Sequence, residues 1–397
     1  MDRTILHCDC NSYFASVECI GRPELRSVPM AVCGDPESRH GIILAKNELA
    51  KRYGIKTAET IWQAKKKCPG LTLVTPHHHL YEEYSERINR IYEEYTDLVE
   101  PFSIDESWLD VTGTTYRFGT GREIANELRR RVREEIGITI SVGVSYNKVF
   151  AKLGSDYKKP DATTVITREN YQSILWPLPA ADMLFVGSVT AERLAGMGID
   201  TIGAIARAGR EQMRAILGRG GETVWEYAMG LDASPVKSRE DIEQPKSIGN
   251  SITFPHDLQG RQEICAGLLT LSDKVGSRLR RHGLYCATVQ IQIKDPHLRT
   301  ISRQQKLKSP TNVTKEIYDA AVAIAEKSWP MSAPVRLLSV TGAGLTDRCA
   351  EQMALIDDTT DDKVKSAKLD QAMDTIRSRF GKDAISFGRL IKKPEDP

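Results

Sequence analysis

Residues 101–111, "PFSIDESWLDV", set two adjacent carboxylates, Asp105 and Glu106, into a run that otherwise reads as a buried strand, with Asp110 just beyond. Neighbours on a strand point to opposite faces, so an acid pair converges only at a turn or a bulge. Two ionised acids held together repel, and they call for compensating positive charge. A solvated hairpin tip would also carry such acids, so this stretch alone leaves both readings open.

The chain around it narrows the choice. Residues 4–9, "TILHCD", read as a short buried strand that delivers Asp9 at its end. "SYFASVECI" has helical spacing through Tyr13, Val17 and Ile20 and stops at Gly21. "MAVCG" and "GIILAK" read as strands, and "NELAKRYG" as a helix with Gly54 in the C′ position. "YEEYSERINRIYEEYTDLV", 81–99, reads as one amphipathic helix with Tyr84, Ile88, Ile91, Tyr95 and Leu98 on a single side. A helix, "REIANELRRRVREEIG", and a strand, "ITISVGVS", follow the acid pair. This β-α-β-β-α-β order predicts a ferredoxin-like split βαβ sheet with an insertion at about 11–74. The first and third strands of such a sheet are neighbours, so Asp9, Asp105 and Glu106 would meet at one edge. Mg²⁺ takes a few carboxylates and fills its shell with water and substrate phosphates. Two such ions serve phosphoryl transfer, and their charge removes the repulsion within the acid pair.

From 166 to 235 the chain reads as short helices broken by glycines, as in "FVGSVTAERLAGMGIDTIGAIA". Residues 236–245, "VKSREDIEQP", are polar and end in proline, which suits a linker. Helix-like "CAGLLTLSDKVGSRLRRHG" and strand-like "CATVQIQIKD" and "VRLLSVTGAGL" then mark a second α+β domain. The formal charge of +2 is unevenly spread, because residues 246–345 hold 14 basic and 7 acidic side chains. A basic module beside near-neutral or acidic ones suggests polyanion binding. No apolar run approaches the ~20 residues of a membrane span, and "MDRTILHCDC" lacks the pattern of a secretory signal. The eight cysteines form no CxxC pair, so reduced thiols in a cytosol are expected. Cys8 and Cys10 share one strand face, which suits packing. "HHH" at 77–79 reads as a solvent-facing loop, since adjacent side chains diverge.

"HCDCNSYFASVE" at 7–18, "SIDESWLDV" at 103–111 and "SVGVSYNKVFAKLGSDYKKP" at 141–160 together resemble the Y-family DNA polymerases, in the branch of DNA polymerase IV and UmuC-like proteins. The resemblance implies an α+β multidomain chain. Its split βαβ palm would take 1–10 and 75–165, with fingers at 11–74. A helical thumb with a helix-hairpin-helix would follow at 166–235, then a linker at 236–245. An α+β little finger at 246–345 and a tail at 346–397 would complete it.

By the same resemblance, Asp9, Asp105 and Glu106 are the catalytic carboxylates. Asp9 and Asp105 bridge two Mg²⁺ ions, Glu106 helps to hold the catalytic one, and Cys10 lends a backbone carbonyl. On the nucleotide side stand Cys10, Asn11, Tyr13, Phe14, Lys51 and Lys159. Phe14 matches the steric gate, a rigid ring that leaves no room for a 2′-hydroxyl, and Lys159 matches the lysine that meets the triphosphate. Ile42 and Leu44, two apart on a strand, match the roof over the templating base. The helix that follows usually carries Thr, Tyr and Arg where this chain has Ala45, Glu48 and Lys51. Lys51 keeps a cation there, as a point charge, and Glu48 could pair with Arg52 at i,i+4.

"FVGSVTAERL" resembles a helix-hairpin-helix, with Gly187, Val189 and Thr190 facing a backbone phosphate and Phe185 in the usual first glycine position. In the basic domain Arg278, Arg280, Arg281, Arg299, Arg303, Lys306 and Lys308 would supply sequence-independent phosphate contacts. Gln352, Met353, Leu355 and Ile356 resemble a sliding-clamp peptide. The implied function is low-fidelity, DNA-templated DNA synthesis for lesion bypass by a bacterial cytoplasmic protein, the implied partners being primer-template, dNTP and clamp, with a monomeric chain and no membrane. The competing readings are a catalytically weak scaffold that binds DNA and clamp, and another two-metal enzyme such as a nuclease or cyclase.

Overall fold

The computed structural model describes residues 2–35, 41–241, 244–347, 360–381 and 383–388. They form two compact units, 1–242 and 243–397. The first begins β1 (Ile5–Cys10), α1 (Tyr13–Gly21), β2 (Met30–Cys33), β3 (Ile43–Lys46), α2 (Glu48–Arg52), α3 (Ile61–Lys67) and β4 (Thr72–Val74). It continues α4 (His78–Glu93), β5 (Val99–Pro101), β6 (Glu106–Asp110), α5 (Thr115–Phe118), α6 (Gly121–Arg131), β7 (Ile140–Ser145), α7 (Lys148–Tyr157) and β8 (Thr163–Val165). Five short helices end it: α8 (Tyr171–Leu175), α9 (Ser188–Ala195), α10 (Ile202–Ala208), α11 (Arg210–Leu217) and α12 (Arg219–Ala228).

The main sheet has the order β5-β6-β1-β7-β8, with β1 antiparallel to both neighbours. The first four strands in that order are the split βαβ arrangement the sequence predicts, and β8 adds a parallel edge. β1 is buried along its whole length, as a central strand covered on both faces must be. Leu6, Cys8 and Cys10 join the core made with α4 and α6, whereas Ile5 packs with Trp108 and Ala151 of α7 on the other face. Helix α7 lies so close to β7 that a Cβ on Gly143 would stand 1.8 Å from the Ala151 carbonyl oxygen. That approach carries the polar side chains of α7 to the end of β1. A second, three-stranded sheet, β3-β2-β4, belongs to the insertion.

The helix expected over 81–99 stops at Glu93. Thr96 donates its hydroxyl to the Asp110 carbonyl at 2.7 Å, Leu98 accepts from the Asp110 amide, and Val99–Pro101 is drawn into the sheet as β5. Leu98 therefore packs beside Ile5 and Trp108 instead of extending the helical stripe. The expected linker is also shorter than its composition suggests. Val236 is buried against Trp108, the Lys237 amide donates to Glu100, and Arg239 binds Glu86 and Glu93, so 236–241 is docked on the first unit. The seven cysteines among the described residues are buried and unpaired.

The second unit runs β9 (Ser247–Leu258), α13 (Gly260–Arg281), β10 (Tyr285–Lys294), β11 (Thr300–Thr311), α14 (Thr314–Ser328), β12 (Val335–Thr346) and α15 (Thr360–Phe380). Its sheet order is β11-β10-β12-β9, antiparallel throughout. One face, with Val289, Ile291, Ile293, Leu338 and Val340, packs against α13 and α14. The alternate positions Gln290, Gln292, Ser339 and Thr341 share the other, polar face, as a half-covered antiparallel sheet requires.

Helix α15 is part of this unit. Asp370 accepts from the Thr314 amide at the start of α14 and binds Arg280 at 2.9 Å. Asp374 holds the same guanidinium, and Arg377 binds Asp273. Arg280 is thus an internal tie with its side chain 11% exposed, and it is withdrawn from the expected DNA-contact set because two aspartates already neutralise it. Arg280→Ala should destabilise the second unit by about 3 kcal/mol, since it strands a buried carboxylate. Urea denaturation of the full chain measures this, and an unchanged midpoint would mean that the pair is solvated and carries nothing.

Candidate active site

Antiparallel pairing of β1 with β6 sets Asp9 directly opposite Glu106. Asp105 precedes β6 in the bend that closes the β5–β6 hairpin, so the acid pair sits at a turn. Its carboxylate accepts from Ser103 at 2.7 Å, and its carbonyl accepts from the Cys10 amide at 3.0 Å. That bond ties the hairpin to the end of β1.

Among the described residues, His7, Asp9 and Glu106 put one ligand atom each within 4.8 Å of one another, and the expected third carboxylate, Asp105, stands outside this cluster. His7 was no candidate at the level of sequence, although its spacing of two from Asp9 places it on the same strand face. Its Nδ1 pairs with Ser155 at 2.8 Å, and its Nε2 lies 3.3 Å from Glu106, close but without hydrogen-bond geometry. Burial holds the imidazole neutral, down to about 4.

Two ammonium groups attend the acids. Lys159 lies 2.6 Å from Asp9 and 2.7 Å from Asp156, and Lys152 of α7 lies 2.5 Å from Glu106. Burial pushes the Asp9 carboxyl well above its usual range, with Lys159 offsetting only part and Glu106 adding to the rise. Burial also acts on Glu106, but the His7 ring and Lys152 outweigh it and hold that carboxyl well below the usual range. Asp105 is raised by burial, with Ser103 opposing. The chain's own lysines thus leave one buried acid short of positive charge, and this donor set fits a divalent cation.

Phe14, in the first turn of α1, stacks on Tyr81 with ring centroids 4.1 Å apart and planes 11° from parallel. Tyr81 is fully buried. It donates to Glu18 at 2.5 Å and accepts from the His77 amide, while His77 Nδ1 lies 2.9 Å from Glu18. His78 meets Phe14 edge-on at 6.0 Å. The histidine run is solvent-facing, as expected, but it opens α4 instead of forming a loop, and two of its rings brace the wall behind Phe14.

Other expected nucleotide residues are placed differently. Tyr13 points into the core and donates to the Tyr81 carbonyl, so its ring is not offered to a ligand. Asn11 is buried between Thr139 and Ser141, bonded to both, and it ties β1 to β7. The Cys10 thiol is buried and pushed far up, which leaves only its backbone for a ligand. Ile42 is exposed and Leu44 partly so, with buried Ile43 between them, as two residues on one strand face should be. Glu48 pairs with Lys51 at 2.6 Å in place of the expected Arg52.

In the helix-hairpin-helix stretch, Phe185 adopts φ 67°, the left-handed backbone usual for the glycine it replaces. Gly187 caps α9 without a side-chain bond, and Gly187 and Val189 are exposed beside a partly exposed Thr190. In the second unit Arg278, Arg281, Arg299, Arg303, Lys306 and Lys308 are exposed. They do not share one face: Lys306 pairs with Thr288 on the polar side, whereas Arg303 pairs with buried Ile291. Gln352, Met353, Leu355 and Ile356 lie outside the described residues. No described helix is long and apolar enough to cross a membrane.

Comparison with known proteins agrees with the fold. The model of the impB/mucB/samB family matches residues 8–156, and that of the family's C-terminal domain matches 245–355. The chain is 49% identical to a DNA polymerase IV of Acetivibrio thermocellus, over 99% of this chain and 98% of the relative. It is 36% identical to DNA polymerase IV 1 of Bacillus subtilis, over 99% and 94%. Among solved structures, a Y-family DNA polymerase chimera, Dbh-Dpo4(243-245)-Dbh, superposes with a TM-score of 0.75 at 25% identity, covering 86% of this chain and 98% of that one. With the two family models and full-length relatives in agreement, the chain belongs to the impB/mucB/samB family of Y-family DNA polymerases, in its DNA polymerase IV branch.

Proposed function

We propose that Asp9, Asp105 and Glu106 are the carboxylates at which this DNA-directed DNA polymerase of the translesion class joins a dNTP to a primer 3′ end. One phosphodiester bond forms at the α-phosphate, the α–β anhydride breaks, and pyrophosphate leaves. The observation that supports this most is the cross-strand pair of buried Asp9 and half-buried Glu106, with a lysine on each. Those two residues and Asp105 would hold two Mg²⁺ ions, with the Cys10 carbonyl beside them. When bound, such a pair supplies positive charge to the attacking and leaving oxygens of phosphoryl transfer.

The chain's own groups do the rest. Lys159, two residues past α7, can turn from Asp9 to the triphosphate, and Lys51 offers a second cation. Phe14 excludes the ribose 2′-hydroxyl with a ring that Tyr81 keeps from yielding. Ile42 and Leu44 cover the nascent pair. The α9 hairpin and the exposed cations of the second unit hold backbone phosphates, and 352–356 binds a sliding clamp.

Primer extension with Mg²⁺ and dNTP tests the whole reading. Extension should require both, and chelation should stop it. A protein that binds primer-template and leaves the primer unchanged would be the scaffold. The same assay with the clamp present tests 352–356, whose deletion should spare basal extension and remove stimulation.

A further inference from the structure

Glu48 stands at the start of α2, in the place where the nucleotide reading wants a group that attracts phosphate. Ser12 adopts φ 51° at the N-cap of α1, yet its hydroxyl does not cap that helix. It donates to Glu48 Oε1 at 3.1 Å instead. Lys51 Nζ reaches the same oxygen at 2.6 Å. Asn11, Ser12, Asn47, Glu48, Pro160 and Asp161 help to line one groove of about 380 Å³, next to Lys159 in sequence. A hydroxyl and an ammonium converging on one anionic oxygen is the arrangement a phosphate oxygen takes.

We propose that Glu48 is an internal anion that occupies the donors Ser12 and Lys51 and competes with the nucleotide triphosphate for them. The inference rests on the reading that Lys51 and Lys159 face the triphosphate. Entry of a nucleotide must then break the Glu48 contacts, and the displaced carboxylate repels the incoming charge. Both partners of the pair are substantially solvated, Lys51 at 40% and Glu48 at 48%, so the penalty is modest. It falls on binding and not on the chemical step, because none of the contacts described for Glu48 reaches Asp9, Asp105 or Glu106. Glu48 thus sets the nucleotide concentration at which the enzyme works.

Single-nucleotide incorporation by the full chain across a dNTP series provides the test. Glu48→Gln keeps the length and removes the charge. It should lower KM for the dNTP roughly two- to fivefold, the range an exposed ion pair carries, with kcat little changed. Inorganic tripolyphosphate, as a competitive inhibitor, should bind more tightly by the same factor, which a merely structural Glu48 would not produce. Lys51→Gln should raise KM, and adding Glu48→Gln to it should give less than the single change does. An unchanged or higher KM in a Glu48→Gln protein of normal melting temperature overturns the inference while Lys51→Gln still raises KM. If Lys51→Gln also leaves KM unchanged, the nucleotide reading of this helix falls with it.

Discussion

Asp105→Ala and Glu106→Ala should each reduce primer extension on the order of a thousandfold, since on the proposed function several kcal/mol of transition-state stabilisation depend on these carboxylates. DNA binding should stay within about twofold, because sequence-independent affinity comes from phosphate contacts elsewhere. The structure separates the two positions. Glu106 also neutralises the partly buried Lys152, so its removal leaves that ammonium only Asp156, at 3.8 Å, whereas Asp105 accepts from the Ser103 hydroxyl at 2.7 Å. Asp105→Ala is therefore the cleaner probe, and a melting curve should show it folded. Extension by that variant within tenfold of the parent would remove Asp105 from the metal-binding set.

Phe14→Ala should lower the preference for dNTP over rNTP by roughly 5–150-fold, the factor that about 1–3 kcal/mol of steric crowding represents. The expectation is sharp because the ring has a rigid backing. Tyr81 is fixed by Glu18 and the His77 amide and cannot swing into the vacated space without breaking both bonds. Incorporation of matched deoxy- and ribonucleotides, measured separately for parent and variant, gives the ratio. An unchanged ratio would make Phe14 a packing residue of the α1–α4 contact.

The sequence made the sheet legible through period-two burial and the order of helices and strands, and the acid pair is where it expected a turn. It could not show His7, because a histidine between apolar residues looks like core until β6 brings Glu106 to its edge. Motif position likewise placed Tyr13 and Asn11 beside a nucleotide. Their side chains turn inward because the α1–α4 contact and the β1–β7 seam use them. Arg280 reads as one more cation in a basic helix, and only the fold shows that a helix ninety residues later supplies its counter-charges. The end of α4 is hidden in the sequence for a related reason. Tyr95 and Leu98 continue a helical stripe, but strand pairing with β6 claims the segment. Long-range partners, which local pattern does not contain, decide each of these cases.

Cys8 and Cys10 flank Asp9 on β1, both buried, with thiols that burial pushes far above their ordinary value. Peroxide attacks the thiolate and needs access to it. Neither condition holds at this strand, so oxidants that scar a DNA template find almost no reactive sulfur beside Asp9, one of the carboxylates proposed to act in copying it. A polymerase for damaged templates can thus keep cysteine at its centre without inheriting the redox sensitivity that residue usually brings.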